Sequence, residues 1–189
     1  MGVKPPRETD RRVQRTRRTL RDALVALILE RGWEQVSVQD VCDRADVGRS
    51  TFYTHFADKE ELLLSGFDEF RKVLRAQHAA AAEAGRPLGF ARALLEHAHE
   101  NLRLFRALIG KRSGQLVQRR FRELVLELVA TDLAGLALAG PVLDGTVHYV
   151  GGAFLELLTW WLDSRSPLPP VEVEALFQRL TTPVLAAAR

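Results

Sequence analysis

The chain has 189 residues, 47% of them hydrophobic and 27% charged, with a formal net charge of +3 and a single cysteine. That length suffices for one well-buried helical body and a smaller appended domain, and one thiol excludes an internal disulfide framework and fits a reducing compartment. Charge interrupts every long apolar stretch, and the basic, proline-marked beginning carries no apolar signal core, so a soluble cytoplasmic protein is expected.

Residues 1–12 are expected to form a flexible basic arm. Lys4, Arg7, Arg11, Arg12, Arg15, Arg17, Arg18 and Arg21 face only Glu8 and Asp10 within the first 21 residues, so the remaining chain carries net negative charge. Such a concentration of cations suits sequence-independent attraction to phosphate. Leu20, Ala23, Leu24, Leu27 and Ile28 then recur at helical spacing, and Gly32 stops that helix. Ser37 can cap the next helix, Asp40 suits the positive end of its dipole, and Val38, Val41, Cys42 and Ala45 share one face. Asp46 tolerates a left-handed turn, Gly48 is a weak cap, and a further short helix runs from Arg49 to Phe56. Phe52 and Phe56, four apart, face a core while Arg49, Ser50, Thr51, Thr54 and His55 project elsewhere. A short helix with that surface suits a DNA major groove, where arginine pairs with guanine and hydroxyls reach bases or phosphates.

Asp58 opens a long helix, with Glu61 completing an acidic capping pattern and Leu63, Phe67, Phe70 and Leu74 repeating towards an alanine run at 79–82. A break at 85–89 precedes a helix predicted from about Phe90 to Leu108, and a second break at 110–114 precedes one predicted to reach about Ala139. Residues 140–145 read as a turn, followed by a helix to about Asp163 that is apolar nearly all round. Such a helix must be covered on two sides, and Gly151, Gly152 and Ala153 would admit another helix closely. The last helix opens at Val171 or Glu172, with Pro183 expected to kink or shorten it. No period-two strand pattern or internal repeat is present, so the chain reads as all-α, with about nine helices.

Gly32 to Leu63 resembles the DNA-binding module of the tetracycline-repressor (TetR) family of bacterial transcriptional regulators. The match runs through Gly32, Trp33, Ser37, Val38, Val41, Ala45, Val47, Thr51, Phe52, Tyr53, His55, Phe56, Lys59 and Leu62 or Leu63. Asp46 replaces the common turn glycine and Gly48 the common capping serine. The resemblance implies an N-terminal three-helix helix-turn-helix domain at 13–57 and a C-terminal helical bundle at 58–189 for ligand binding and dimerisation. It implies base reading by Gln39, Arg49, Ser50 and Thr54, and phosphate contacts by Ser37, Thr51, Tyr53, His55 and Lys59. It further implies a homodimer on double-stranded DNA, joined through 153–162 and 174–185, acting as a repressor that a small hydrophobic ligand releases from a palindromic operator. By the same analogy His97, Phe105, Phe121, His148, Tyr149 and Trp160 are candidates for lining the ligand pocket.

Two alternatives stand beside that reading: control by a protein partner at the C-terminal domain, and a helical-bundle enzyme. The enzyme reading has little support. Glu96 and His99 form one Glu-x-x-His, but a di-iron bundle needs a second copy, and GKRSG at 110–114 lacks the spacing of a nucleotide-binding loop. No catalytic residue, metal site or cofactor is assigned, and no membrane partner is expected.

Overall fold

The computed structural model describes residues 8–83, 88–109, 115–136, 138–164 and 168–188. Among the described residues every regular element is helical: α1 Glu8–Arg31, a 3-10 turn Trp33–Gln35, α2 Val38–Ala45, α3 Arg49–His55, α4 Lys59–Glu83, α5 Phe90–Glu100, α6 Leu102–Ile109, α7 Gln115–Leu133, α8 Gly140–Asp163 and α9 Pro170–Ala187. The chain is thus all-α. It divides into two compact units, Met1–Asp68 and Glu69–Arg189.

In the first unit, Leu20, Leu24, Leu27 and Ile28 of α1 close over Val41 and Cys42 of α2, with Phe52, Phe56 and Leu62 completing the core. Gly32 takes φ +81°, which only glycine adopts without strain, and the chain leaves α1 there. Asp46 adopts φ 51°, ψ 47°, the left-handed cap expected of it. Burial pushes the Cys42 thiol above its ordinary value, as befits a small apolar core residue. Leu62 and Leu63 at the start of α4 are buried in this unit, and Arg21 reaches the Ser65 carbonyl at 3.4 Å. The expected boundary at Asp58 therefore marks where α4 begins, whereas the compact units divide further along the same helix. α1 also starts earlier than expected: residues 8–12 of the anticipated arm are helical, and residues 1–7 lie outside the described residues.

The second unit is knit by aromatic side chains. Phe154 of α8 meets Phe90 of α5 and Phe177 of α9 edge-on, each at 5.1 Å between ring centroids. Arg106 of α6 donates to the carbonyls of Leu162 (2.6 Å) and Ser164 (2.8 Å), satisfying the free end of α8. Four boundaries differ from expectation. The helix predicted from Phe90 to Leu108 is two, because Asn101 leaves helical geometry at φ −115°, ψ 33° while its side chain and backbone N–H share the His97 carbonyl. α7 stops at Leu133, short of Ala139, ahead of Gly135. Residues 140–145, expected as a turn, open α8, where Pro141 fits the first turn. α9 begins at Pro170 and continues through Pro183 to Ala187.

Gly151 explains one close approach differently from the sequence. A Cβ there would stand 2.6 Å from a Leu126 methyl, so this glycine admits α7 of the same chain. The outward side of α8 carries Val142, Tyr149, Ala153, Glu156 and Trp160, with Tyr149 61% and Trp160 52% exposed. None of the helices is long and apolar enough, among the described residues, to cross a membrane.

Candidate nucleic-acid interface

Two buried rings set the orientation of α3. Phe52 and Phe56 lie 6.0 Å apart and anchor one side to the core, and Arg17 of α1 places its guanidinium 4.6 Å from the Phe56 ring centroid. Side chains one and two positions from Phe52 turn away from its buried side, and Arg49, Ser50, Thr51, Tyr53 and Thr54 are exposed, with His55 partly so. Arg49 extends along this surface, donating to the Tyr53 hydroxyl at 3.3 Å with its guanidinium 5.8 Å from that ring. Thr54 donates to the Ser50 carbonyl at 2.9 Å, which leaves its oxygen lone pairs outward.

α2 is held beneath α3 by reciprocal capping. Ser37 accepts from the Asp40 backbone N–H (3.2 Å), while the Asp40 carboxylate accepts from the Ser37 backbone N–H (2.8 Å). These bonds to Ser37, aided by Arg31, hold the Asp40 carboxyl below the ordinary carboxylate range. Arg31 reaches Asp40 at 3.0 Å, and Arg44 grips Glu30 with both nitrogens at 2.8 and 2.6 Å, so both ends of α2 are tied to α1. Gln39 is exposed on the same helix and donates to Asp43 at 2.6 Å.

Lys59 is the exception among the expected contacts. Its ammonium donates to the carbonyls of Trp33 (3.2 Å) and Val36 (2.8 Å) and sits 4.4 Å from the Trp33 ring centroid. These carbonyls hold the ammonium of a partly exposed side chain, so Lys59 ties the start of α4 to the 3-10 turn. Ser37, Gln39, Arg49, Ser50, Thr51, Tyr53, Thr54 and His55 remain on the accessible surface of one unit. The sequence counts Arg17 among the cations of the first 21 residues, and its packing on Phe56 emerges only from the fold. Exposed Arg11, Arg12 and Arg15 extend the positive charge along α1.

The six expected pocket residues separate into two groups. His97, Phe105 and Phe121 come together with Phe70: His97 stacks on Phe70 at 4.2 Å, and Phe105 lies 5.7 Å from His97 and 6.1 Å from Phe121. His148, Tyr149 and Trp160 are instead exposed on α8, because their register places them opposite buried Val147, Val150, Phe154 and Trp161. The components of Glu-x-x-His also part: Glu96 pairs with Arg92, and His99 stacks on Trp161 at 6.0 Å. No metal-holding group of three or more His, Cys, Asp or Glu occurs among the described residues.

Residues 20–65 match the profile of the tetR family of bacterial regulatory proteins. The chain is 38% identical over 58 residues to YxbF, an HTH-type transcriptional regulator of Bacillus subtilis; that match covers 30% of this chain but only 15% of YxbF. A TetR transcriptional regulator of Streptococcus agalactiae superposes with a TM-score of 0.72 at 25% identity, covering 92% of this chain and 97% of the other. The fold is also shared with FadR, a TetR-family repressor of Thermus thermophilus solved with lauroyl-CoA, at a TM-score of 0.63 and 20% identity over 88% of this chain and 93% of that one. With the helix-turn-helix residues in place, residues 20–65 match the tetR family of bacterial regulatory proteins, and the likeness in fold to solved TetR regulators extends through the C-terminal helices.

Proposed function

We propose that the protein is a homodimeric repressor that binds a palindromic operator and is released by a small molecule in its C-terminal unit. The observation that carries this reading is α3: two buried phenylalanines fix it while its polar face stays exposed. Arg49, Ser50 and Thr54, with Gln39 from α2, read base edges; Ser37, Thr51, Tyr53 and His55 hold phosphates, supplemented by the α1 arginines. One short helix reads about four base pairs, so two copies related by a two-fold axis read half-sites ~34 Å apart. The exposed Tyr149, Ala153 and Trp160 of α8, beside Leu180 of α9 at 61% exposure, provide the apolar face for the second copy.

α4 gives a ligand a continuous helix through which to act, since it starts among the buried residues of the first unit and continues in the second. Each tenfold loss of operator affinity requires about 1.4 kcal/mol of ligand preference for the DNA-incompetent state. That the Thermus thermophilus repressor of this fold is solved in complex with lauroyl-CoA supports an organic ligand for this chain. Fluorescence anisotropy with a fragment from the protein's own upstream region tests the DNA reading. Saturable binding that exceeds binding to random DNA, at two chains per site, is expected; equal affinity for both fragments would overturn the operator assignment. Mass measurement of the purified complex tests control by a protein partner, for which a second polypeptide at fixed stoichiometry would be required.

A further inference from the structure

Gln115, Gln118, Arg119 and Arg122 recur at intervals that place them on one side of α7, with Leu126 a turn further along. Leu126 packs against Gly151 of α8. Residues near the start of α7 and towards the end of α8, with Ile109 of α6, line a cleft of about 480 Å³. Its walls divide chemically. Ile109, buried Phe121 and Leu155 supply apolar surface, whereas Arg119 and Arg122 stand across from Glu156 and Thr159. Neither arginine has an acidic partner among the described residues, although Glu156 lines the same opening.

An isolated guanidinium at the surface is ordinary. Two on one face, without carboxylate partners and beside an apolar floor, form a complementary site for a particular chemistry. The planar guanidinium fork matches a carboxylate, and the charge-assisted bonds strengthen where part of the surrounding water is displaced by apolar contact. The volume falls in the range of small-molecule sites. Phe121 gives the cleft a second connection. Its ring lies 6.1 Å from Phe105, which lies 6.2 Å from Phe70 of α4 and 5.7 Å from His97, itself stacked on Phe70.

We propose that this cleft binds the effector and that the effector is an organic acid, its carboxylate held by Arg119 and Arg122 and its apolar body against Ile109, Phe121 and Leu155. The assignment rests on the ligand-responsive reading above and gives that reading a site, a ligand class and a route. A body inserted against Phe121 displaces its ring, and Phe105 and Phe70 carry that displacement to α4. The carboxylate supplies orientation and selects against uncharged analogues, because an alcohol of the same shape leaves both cations unmatched.

Titration calorimetry on the full chain with octanoate, benzoate and phenylacetate, and with the alcohols octanol and benzyl alcohol, provides the test. At least one acid should bind saturably, about tenfold or more tightly than its matching alcohol, and the double substitution Arg119→Gln and Arg122→Gln should remove that preference. Both side chains are exposed and lack acidic partners, so the variant should retain the parent's circular dichroism and its affinity for DNA without ligand. Phe105→Leu should retain acid binding within about twofold but lose the effect of acid on DNA affinity. Binding by none of the acids, or acid binding unchanged in the double variant, would overturn the cleft assignment while DNA binding by the parent kept the regulator reading intact. Failure of the parent to bind DNA in the absence of any acid would instead sink the regulator reading. A Phe105→Leu protein that still released DNA on acid addition would remove the aromatic route and leave the site standing.

Discussion

Single side chains illustrate how burial changes the meaning of a residue type. Lys59, which the resemblance places among the phosphate contacts, directs its ammonium in the DNA-free chain to two carbonyls of its own module. Arg49 lies on the exposed face and has only the Tyr53 hydroxyl and ring as neighbours to release. Arg49→Ala should cost about 1–3 kcal/mol on the preferred operator and far less on random DNA, measured by competition binding. His97 illustrates a proton equilibrium governed by packing. Burial holds it below the ordinary imidazole value of 6.5, with Glu100 opposing. The unfolded chain consequently binds a proton that the folded chain resists, so stability is complete above that value and declines as pH falls from it towards the lower folded value. His97→Gln should flatten the melting temperature measured across that acid range.

At the level of helices, sequence signals were clearest where a backbone requirement is local. The Ser37 and Asp40 capping pair, the left-handed Asp46 and the Gly32 stop all appear where the pattern placed them, because each satisfies orphan helix-end groups or a φ value within a few residues. Ser37→Ala should cost about 1 kcal/mol, detectable by chemical denaturation, through loss of the α2 cap. The division of α5 from α6 was less legible, since an asparagine in an apolar helical pattern reads either as a surface residue or as a break. Its bond to the His97 carbonyl distinguishes the two. Pro183 reverses that lesson, because α9 continues through a residue expected to disrupt it. Gly151 is likewise defined by its neighbour. Gly151→Ala places a methyl against Leu126, and a double-mutant cycle with Leu126→Ala should show favourable coupling of about 0.5–3 kcal/mol as the space is released.

At the scale of the whole molecule, the proposed homodimer rests on the exposed rings of the outward side of α8. Trp160→Glu combined with Tyr149→Glu should shift the protein from dimer to monomer by analytical ultracentrifugation and weaken operator binding while leaving the isolated chain helical, because both rings are already exposed in the single chain. The sequence by itself determined the all-α class, the helix-turn-helix and the polar surface of α3, since hydrophobic period, caps and turn residues act over short distances and their combination is specific. Most exposed DNA-contact candidates were legible there for the same reason. Tertiary structure decided the carbonyl partners of Lys59, the partner of Gly151, and the separation of His97, Phe105 and Phe121 from His148, Tyr149 and Trp160. It also decided which residues of α6, α7 and α8 line a cleft with two arginines. Those outcomes depend on which faces of distant segments meet, and helical periodicity specifies a face without naming the surface that covers it.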